Sequence, residues 1–446
     1  MQSNLNNRSF FGKKRWMMLM LFGTVGQIAW AVENMYFNLF VFETVAERLD
    51  VITLMVQLSG VMATVATLIA GVLSDKLGNR RAFISWGYAI WGVTVALFGC
   101  LSPELIGKLF GLSADTALTV TLVAVVAGDC VMTLFGSTAN DAAFNAWVTD
   151  NTRPEFRGTV EGVLAILPLV AMLIVAGGFG ILVGAIGYPA LFISLGVVIS
   201  LSGVLGIIFL KDSPEMERSG RMRDIFYGFR PSVVRANLPL YLTLVAVLIY
   251  GIACQIFMPY LIIYMKTYLS FDVIEYSVVF GLAILLGALI NLYLTRLSDR
   301  MNKVKLLYAA SGIMSVGLFM MYFFRFDNHA LTLVAFGVAG FVMIVGYIFV
   351  SALCGSTVRD YTPEDAVGRL QGVRMVFSVL IPMLIGPWIG NSINAAVGAK
   401  LPDAGADAMT TEYIPAPEIF LAAAVTMLII FAVIPMISKV TAKSEK

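Results

Sequence analysis

"GVLSDKLGNRR", Gly71 to Arg81, is a short charged break in an otherwise greasy stretch of chain. Apolar runs flank it, over 51–73 and 83–101. Each has the roughly 20 residues that carry a helix across a bilayer. The break holds an acid, Asp75, a glycine, Gly78, and a basic pair, Arg80 and Arg81. Such a connection reads as a tight turn between two membrane helices, with its charges in water.

The same alternation fills the chain. Of 446 residues, 59% are hydrophobic and 13% charged, about half the charged share of an ordinary soluble protein. Twelve apolar runs emerge: 16–42, 51–73, 83–101, 117–148, 159–184, 188–210, 239–266, 273–295, 306–324, 330–358, 369–398 and 417–438. They are too long for barrel strands, and backbone polar groups in lipid must be satisfied within their own segment, so helices are expected. The fold class is therefore an all-α membrane protein of twelve transmembrane helices in two six-helix bundles. The first run is too long for a removable signal peptide and has no cleavage site.

Orientation follows the basic residues. With the N-terminus inside, 24 of the 30 Lys and Arg fall in inner connections, 5 in outer ones, and Arg374 within a run. Both termini are expected in the cytoplasm and the chain in the inner, cytoplasmic membrane. The net charge of +2 marks no nucleic-acid surface. The four cysteines, Cys100, Cys130, Cys254 and Cys354, have no CxxC spacing and read as packing residues. Nothing has nucleotide-binding, metal-ligand or nucleophile–base spacing, so no cofactor, no metal and no enzymatic reaction are expected. Gly177, Gly178 and Gly180 read as close helix packing, not as a phosphate loop.

The halves repeat. "VTDNTRPEFRGTVEGV" from Val148 matches "VRDYTPEDAVGRLQGV" from Val358, pairing Asp150 with Asp360. "LSDKLGN" at Leu73 matches "LSDRMNK" at Leu297, which sets Asp299 opposite Asp75. The two offsets differ by about the length of an extra outer loop near Ser102–Thr116. Between the halves lies the polar stretch from Lys211 to Asn237. The expected domains are 1–210, a linker at 211–238, and 239–446. Parallel repeats of this kind belong to transporters with a solute site near the midplane between halves.

Gly71, Asp75, Gly78, Arg80 and Arg81 at this spacing resemble the signature loop of the major facilitator superfamily. The resemblance implies that these residues, with Asp299 in the degenerate copy, act in gating. "GQIAWAVENMYF", from Gly26, is similar to the first span of the sucrose carriers. "NDAAFNAWVTD", from Asn140, resembles the end of span four in the melibiose type, where Asp141 matches a sugar-contacting acid. Two departures stand out. The second run, "VQLSGVMATVATLIAGVL", lacks the carboxylate pair that the melibiose type uses for sodium, and Asn145 stands where the sugar carriers have a basic residue.

Acids inside a membrane cost about 3 kcal/mol each on insertion scales, so each is a functional candidate. At helical spacing, Gly26, Trp30, Glu33, Phe37 and Phe40 share a face, next to Asn34. Rings can cover the apolar face of a sugar while Glu33 accepts its hydroxyls or carries a proton. Asp129, Thr133, Gly136 and Asn140 form a polar stripe on span four, with Asp141 about 100° round. The second half offers Gln255, Asn291, Asn391 and Asn394, together with Arg374, which either pairs with an acid such as Asp141 or Glu161 or snorkels. His329 falls in an outer loop, which argues against a histidine relay. The expected function is import of a small polar solute, a sugar or glycoside, coupled to H+, by a chain acting as a monomer in the lipid bilayer. The alternatives are a proton-driven exporter of amphipathic compounds, which the 23 Met and 30 Phe would suit, and a sensor or assembly factor.

Overall fold

The computed structural model describes residues 13–152, 157–213, 222–298, 301, 303–363, 367–400 and 413–444. Among these it is almost wholly helical, and eleven helices are long and apolar enough to cross a membrane. The longest, Val163–Phe209, is two spans. Gly187 breaks it, with φ +77° and ψ 164°, a backbone state that side-chain-bearing residues avoid. Division there gives twelve spans, as the sequence implies. Spans one to four are Lys14–Val45, Leu49–Leu77, Arg80–Phe98 and Ala114–Asn151. Spans five and six are 163–186 and 188–209. Spans seven to twelve are Leu238–Thr267, Val273–Leu294, Lys303–Phe323, His329–Tyr361, Leu370–Val397 and Glu418–Val440.

Only Gly78 and Asn79 separate spans two and three. Gly78 takes φ +64°, a left-handed stop that suits glycine and bonds back to the Ser74 carbonyl. Asn79 caps the next helix by accepting the Ala82 N–H at 3.1 Å. The glycine and asparagine in the opening motif thus have a local task, stopping one helix and starting the next. Gly71 has no such duty, since a Cβ there would meet nothing within 4 Å. The extra outer segment near Ser102–Thr116 is not a plain loop. It folds as a helix, Pro103–Phe110, capped by Ser102 and stopped by Gly111 at φ +63°.

By packing, the chain forms two compact units. The first takes the described residues within Met1–Glu33, Met62–Val175 and Ala185–Met222. In it, spans three and six pack backbone to backbone where Gly92, Gly196 and Gly203 leave no room for a Cβ. The second takes Asn34–Val61, Ala176–Gly184 and the described residues within Arg223–Lys446. Spans nine and ten cross there through Gly317 against Met343 and Gly346 against Met314. Asn291 ties span eight to span ten by donating to the Val345 carbonyl at 3.1 Å.

The second unit also gathers segments from the first half of the chain. Glu43 pairs with Lys266. The hydroxyls of Thr53 and Tyr260 lie 2.7 Å apart, and Tyr260 donates to the Pro387 carbonyl at 2.9 Å. Gln57 donates to the Leu384 carbonyl at 2.7 Å. Of the span-five glycines, Gly180 lies tight against Tyr276 and Ser277, and Gly177 approaches Gly281. Gly178 faces open space, so close packing does not explain it.

Candidate functional site

The α-helix of span one ends at Val32, and Glu33–Phe37 continues as a wider π turn. Span four does the same over Ser137–Phe144. Such turns frequently mark functional sites. Here they bracket the two half-buried carboxylates that sequence singles out, Glu33 and Asp141.

Thr133 donates to Glu33 Oε1 at 3.0 Å, joining spans one and four inside the first unit. One turn away on span four, Gly136 leaves space for two indoles: a Cβ there would lie 2.8 Å from Trp91 and 3.1 Å from Trp30. The two rings sit 5.1 Å apart. Tyr88 meets Trp91 edge-on at 5.5 Å. Its hydroxyl is 2.7 Å from the Phe22 carbonyl and 2.9 Å from Asn140 Oδ1, and donates to one at a time. Asn140 Nδ2 in turn donates to Asp141 Oδ1 at 3.1 Å. Trp30 and Ser137 lie beside the same carboxylate. Asp129 lies farther out on the stripe and is only 2% exposed, so it is no headgroup-level acid bathed in water.

The first unit therefore brings together Trp30, Glu33, Asn140 and Asp141, with Asp129 adjoining. Asn145 is exposed and spends its amide on the Asp141 backbone carbonyl at 3.1 Å. The other expected residues belong to the second unit. Asn34 is exposed there, and Phe37 is buried. Gln255 packs its stem against Gly386 of span eleven. Arg374 is half-buried near the end of the helix Val367–Met375, and its carbonyl accepts from Ser378. The side chain of Glu161 lies outside the described residues, as does Asp299.

Sequence reading misses Tyr88, Trp91 and Ser137. Aromatics in an apolar run look alike whether they face lipid or site. The usable signal was Tyr88 and Trp91 three apart, with small Gly87 and Gly92 beside them.

At the linker end of the first unit, Arg80 is 6% exposed. It pairs with Asp75, with Asp150 at 3.1 Å, and with the Ser74 hydroxyl at 2.5 Å. Arg81 turns away. Its N–H donates to Asp212 Oδ1 at 2.9 Å, past the end of span six, and its guanidinium to the Ile207 carbonyl in the last turn of that span. Burial pushes the Asp212 carboxyl above its ordinary range, and the Arg81 N–H together with the Arg80 and Arg81 charges offsets part of that.

Twelve apolar helices, turns that gather charge at one end, and acids held among aromatics inside the bundle define a multi-pass membrane transporter. The family model of the Major Facilitator Superfamily matches residues 19–387, and the chain belongs to that superfamily of secondary transporters. No curated protein matches the sequence. Among solved structures, the nucleoside transporter NupG is 12% identical with a TM-score of 0.62, over 95% of this chain and 98% of that one. A bacterial homologue of the iron transporter ferroportin, in an inward-facing state, is 14% identical with a TM-score of 0.63, over 95% and 97%. Its outward-facing form gives 15% and 0.62, over 95% and 99%. At such identities the likeness is one of fold.

Proposed function

We propose that this chain moves a small polar organic solute, a sugar or glycoside, by alternating access coupled to protons. It does so as a monomer in the cytoplasmic membrane with both termini inside. The observation that carries the reading is the group formed by Trp30, Trp91, Tyr88, Asn140 and Asp141, with the Glu33–Thr133 bond beside it. Indole and phenol faces suit the apolar face of a ring, while Asn140 and Asp141 offer an amide and an acceptor for hydroxyls. That chemistry favours a ring-bearing organic solute over a bare ion.

Glu33 is the acid placed to exchange a proton. Its partner Thr133 can donate to the ionised carboxylate and, by rotating its hydroxyl, accept from the protonated one. Both forms are thus served without rebuilding the site. The two sequence halves, 1–210 and 239–446, supply the moving bodies in this reading, and Arg80, Arg81, Asp75 and Asp150 the contacts that bias one state. The basic residues concentrated in one set of connections support the orientation.

The test is uptake into proteoliposomes with and without a proton gradient, after a thermal-shift screen of sugars, nucleosides and cationic drugs has chosen the solute. Glu33→Gln is expected to abolish uptake against a gradient while keeping solute counterflow, because the amide mimics the protonated acid. Concentrative uptake that survives in Glu33→Gln removes the coupling role. A shift by cationic drugs alone moves the reading to the exporter.

A further inference from the structure

The connection between the halves has a face that no transport role uses. Its described part runs through a 3-10 turn, Met222–Phe229, and a short helix, Pro231–Ala236, to Leu238, where span seven begins. One side is fastened to the second unit. Val233 joins a buried cluster with Leu240, Tyr241, Leu244, Val358 and Leu370. Tyr241 donates its hydroxyl to the Gly228 carbonyl, and Gly228 sits against Val373 and Leu370. Tyr241 is three residues into span seven, about 4.5 Å along the helix at 1.5 Å per residue. The turn is therefore held level with the mouth of the span, where hydrocarbon gives way to headgroups.

The opposite side is left uncovered. Phe226 is 70% exposed, Phe229 44% and Leu238 39%. Arg230 and Arg235 are exposed among these side chains. Arg230 stacks 5.7 Å over the Tyr227 ring. Neither arginine has an acidic ion-pair partner among the described residues. Two aromatics and two cations fixed at the depth of the membrane interface match an anionic lipid surface in both chemistry and position. Aromatic rings favour that layer, and basic residues beside a span are drawn to anionic headgroups.

We infer that residues 226–238 form an interfacial foot that binds anionic phospholipid. Phe226 and Phe229 enter the acyl boundary, and Arg230 and Arg235 meet the headgroup phosphates. The inference rests on the chain's insertion in a bilayer and not on its cargo, so it stands or falls apart from the transport reading.

The test is amide hydrogen exchange on the full chain in nanodiscs of phosphatidylcholine, with and without phosphatidylglycerol. Peptides covering 226–238 are expected to exchange several-fold more slowly with phosphatidylglycerol, while peptides from the middle of span seven do not change. The double variant Arg230→Gln, Arg235→Gln should lose that difference, and Phe226→Ser should exchange faster in both lipids. Equal wild-type rates in the two discs overturn the inference without recourse to any variant, and so would a double variant that keeps the full difference. Equal protection by soluble glycerol phosphate in phosphatidylcholine discs would assign the site to a free anion and overturn it too.

Discussion

Arg80 and Lys303 each reach an aspartate at the linker end of the fourth span of their half, Asp150 and Asp360. The aspartates occupy matching places in the repeat, but the cations do not. The alignment that pairs Leu73 with Leu297 sets Lys303 opposite Asn79, one residue before Arg80. The settings differ as well. Arg80 is buried and holds Asp75, Asp150 and Ser74 together with a planar fork of donors. Among the described residues Lys303 makes one ion pair, at 2.6 Å, with side chains 29% and 51% exposed. One ancestral turn has thus become a closed polar network in one half and a solvated ion pair in the other. The repeat conserves where the cation goes more than which residue supplies it.

The largest break in that comparison is expected from Arg80→Gln. It leaves Asp75 and Asp150 facing each other without their shared cation. The loss should be about 3 kcal/mol, the lower end for breaking a buried pair, because Asp150 keeps some water. Thermal unfolding in detergent reads it, and a variant as stable as the parent would mean that the network contributes nothing net. Lys303→Gln should cost under about 1 kcal/mol, as surface pairs do. If the two substitutions lose the same stability, the contrast between the halves is only apparent.

A smaller effect sharpens the picture through pH. Burial raises the Asp212 carboxyl above its unfolded value, so the folded chain holds its proton more tightly than the unfolded one. Stability from this group is full below the unfolded pKa and is lost as pH rises to the folded one. The window lies just above the ordinary aspartate range. Asp212→Asn is expected to flatten this part of the stability profile, while Lys303→Gln leaves it in place. A profile unchanged in Asp212→Asn would show that the Arg81 contact fully compensates the burial.

Much of the fold was legible because lipid leaves few choices. The run lengths, and hence the twelve spans, followed from the cost of polar groups in hydrocarbon. Gly78 was legible as part of a charged loop, but the resemblance assigned it to gating, and its local task of stopping a helix was seen only in the fold. The site was legible only where polarity stood out, at Glu33, Asn140 and Asp141. Tyr88 and Trp91 were hidden by being aromatic among aromatics. Helical phase failed at the π turns, which add a residue per turn. The face drawn from Gly26 to Phe40 assumed one unbroken helix, whereas Phe37 and Phe40 pass into the other packing unit. That regrouping was invisible too, because contacts such as Glu43 with Lys266 join residues 223 positions apart.

Span one changes packing unit between Glu33 and Asn34, at the first step of its widened turn. The residues of one span are therefore divided between two packing units, and the division falls at an ionisable side chain. The widened turn after Val32 sets the Glu33 carboxylate where the regular helix gives way. A backbone irregularity and a half-buried acid thus coincide at a single position of the chain.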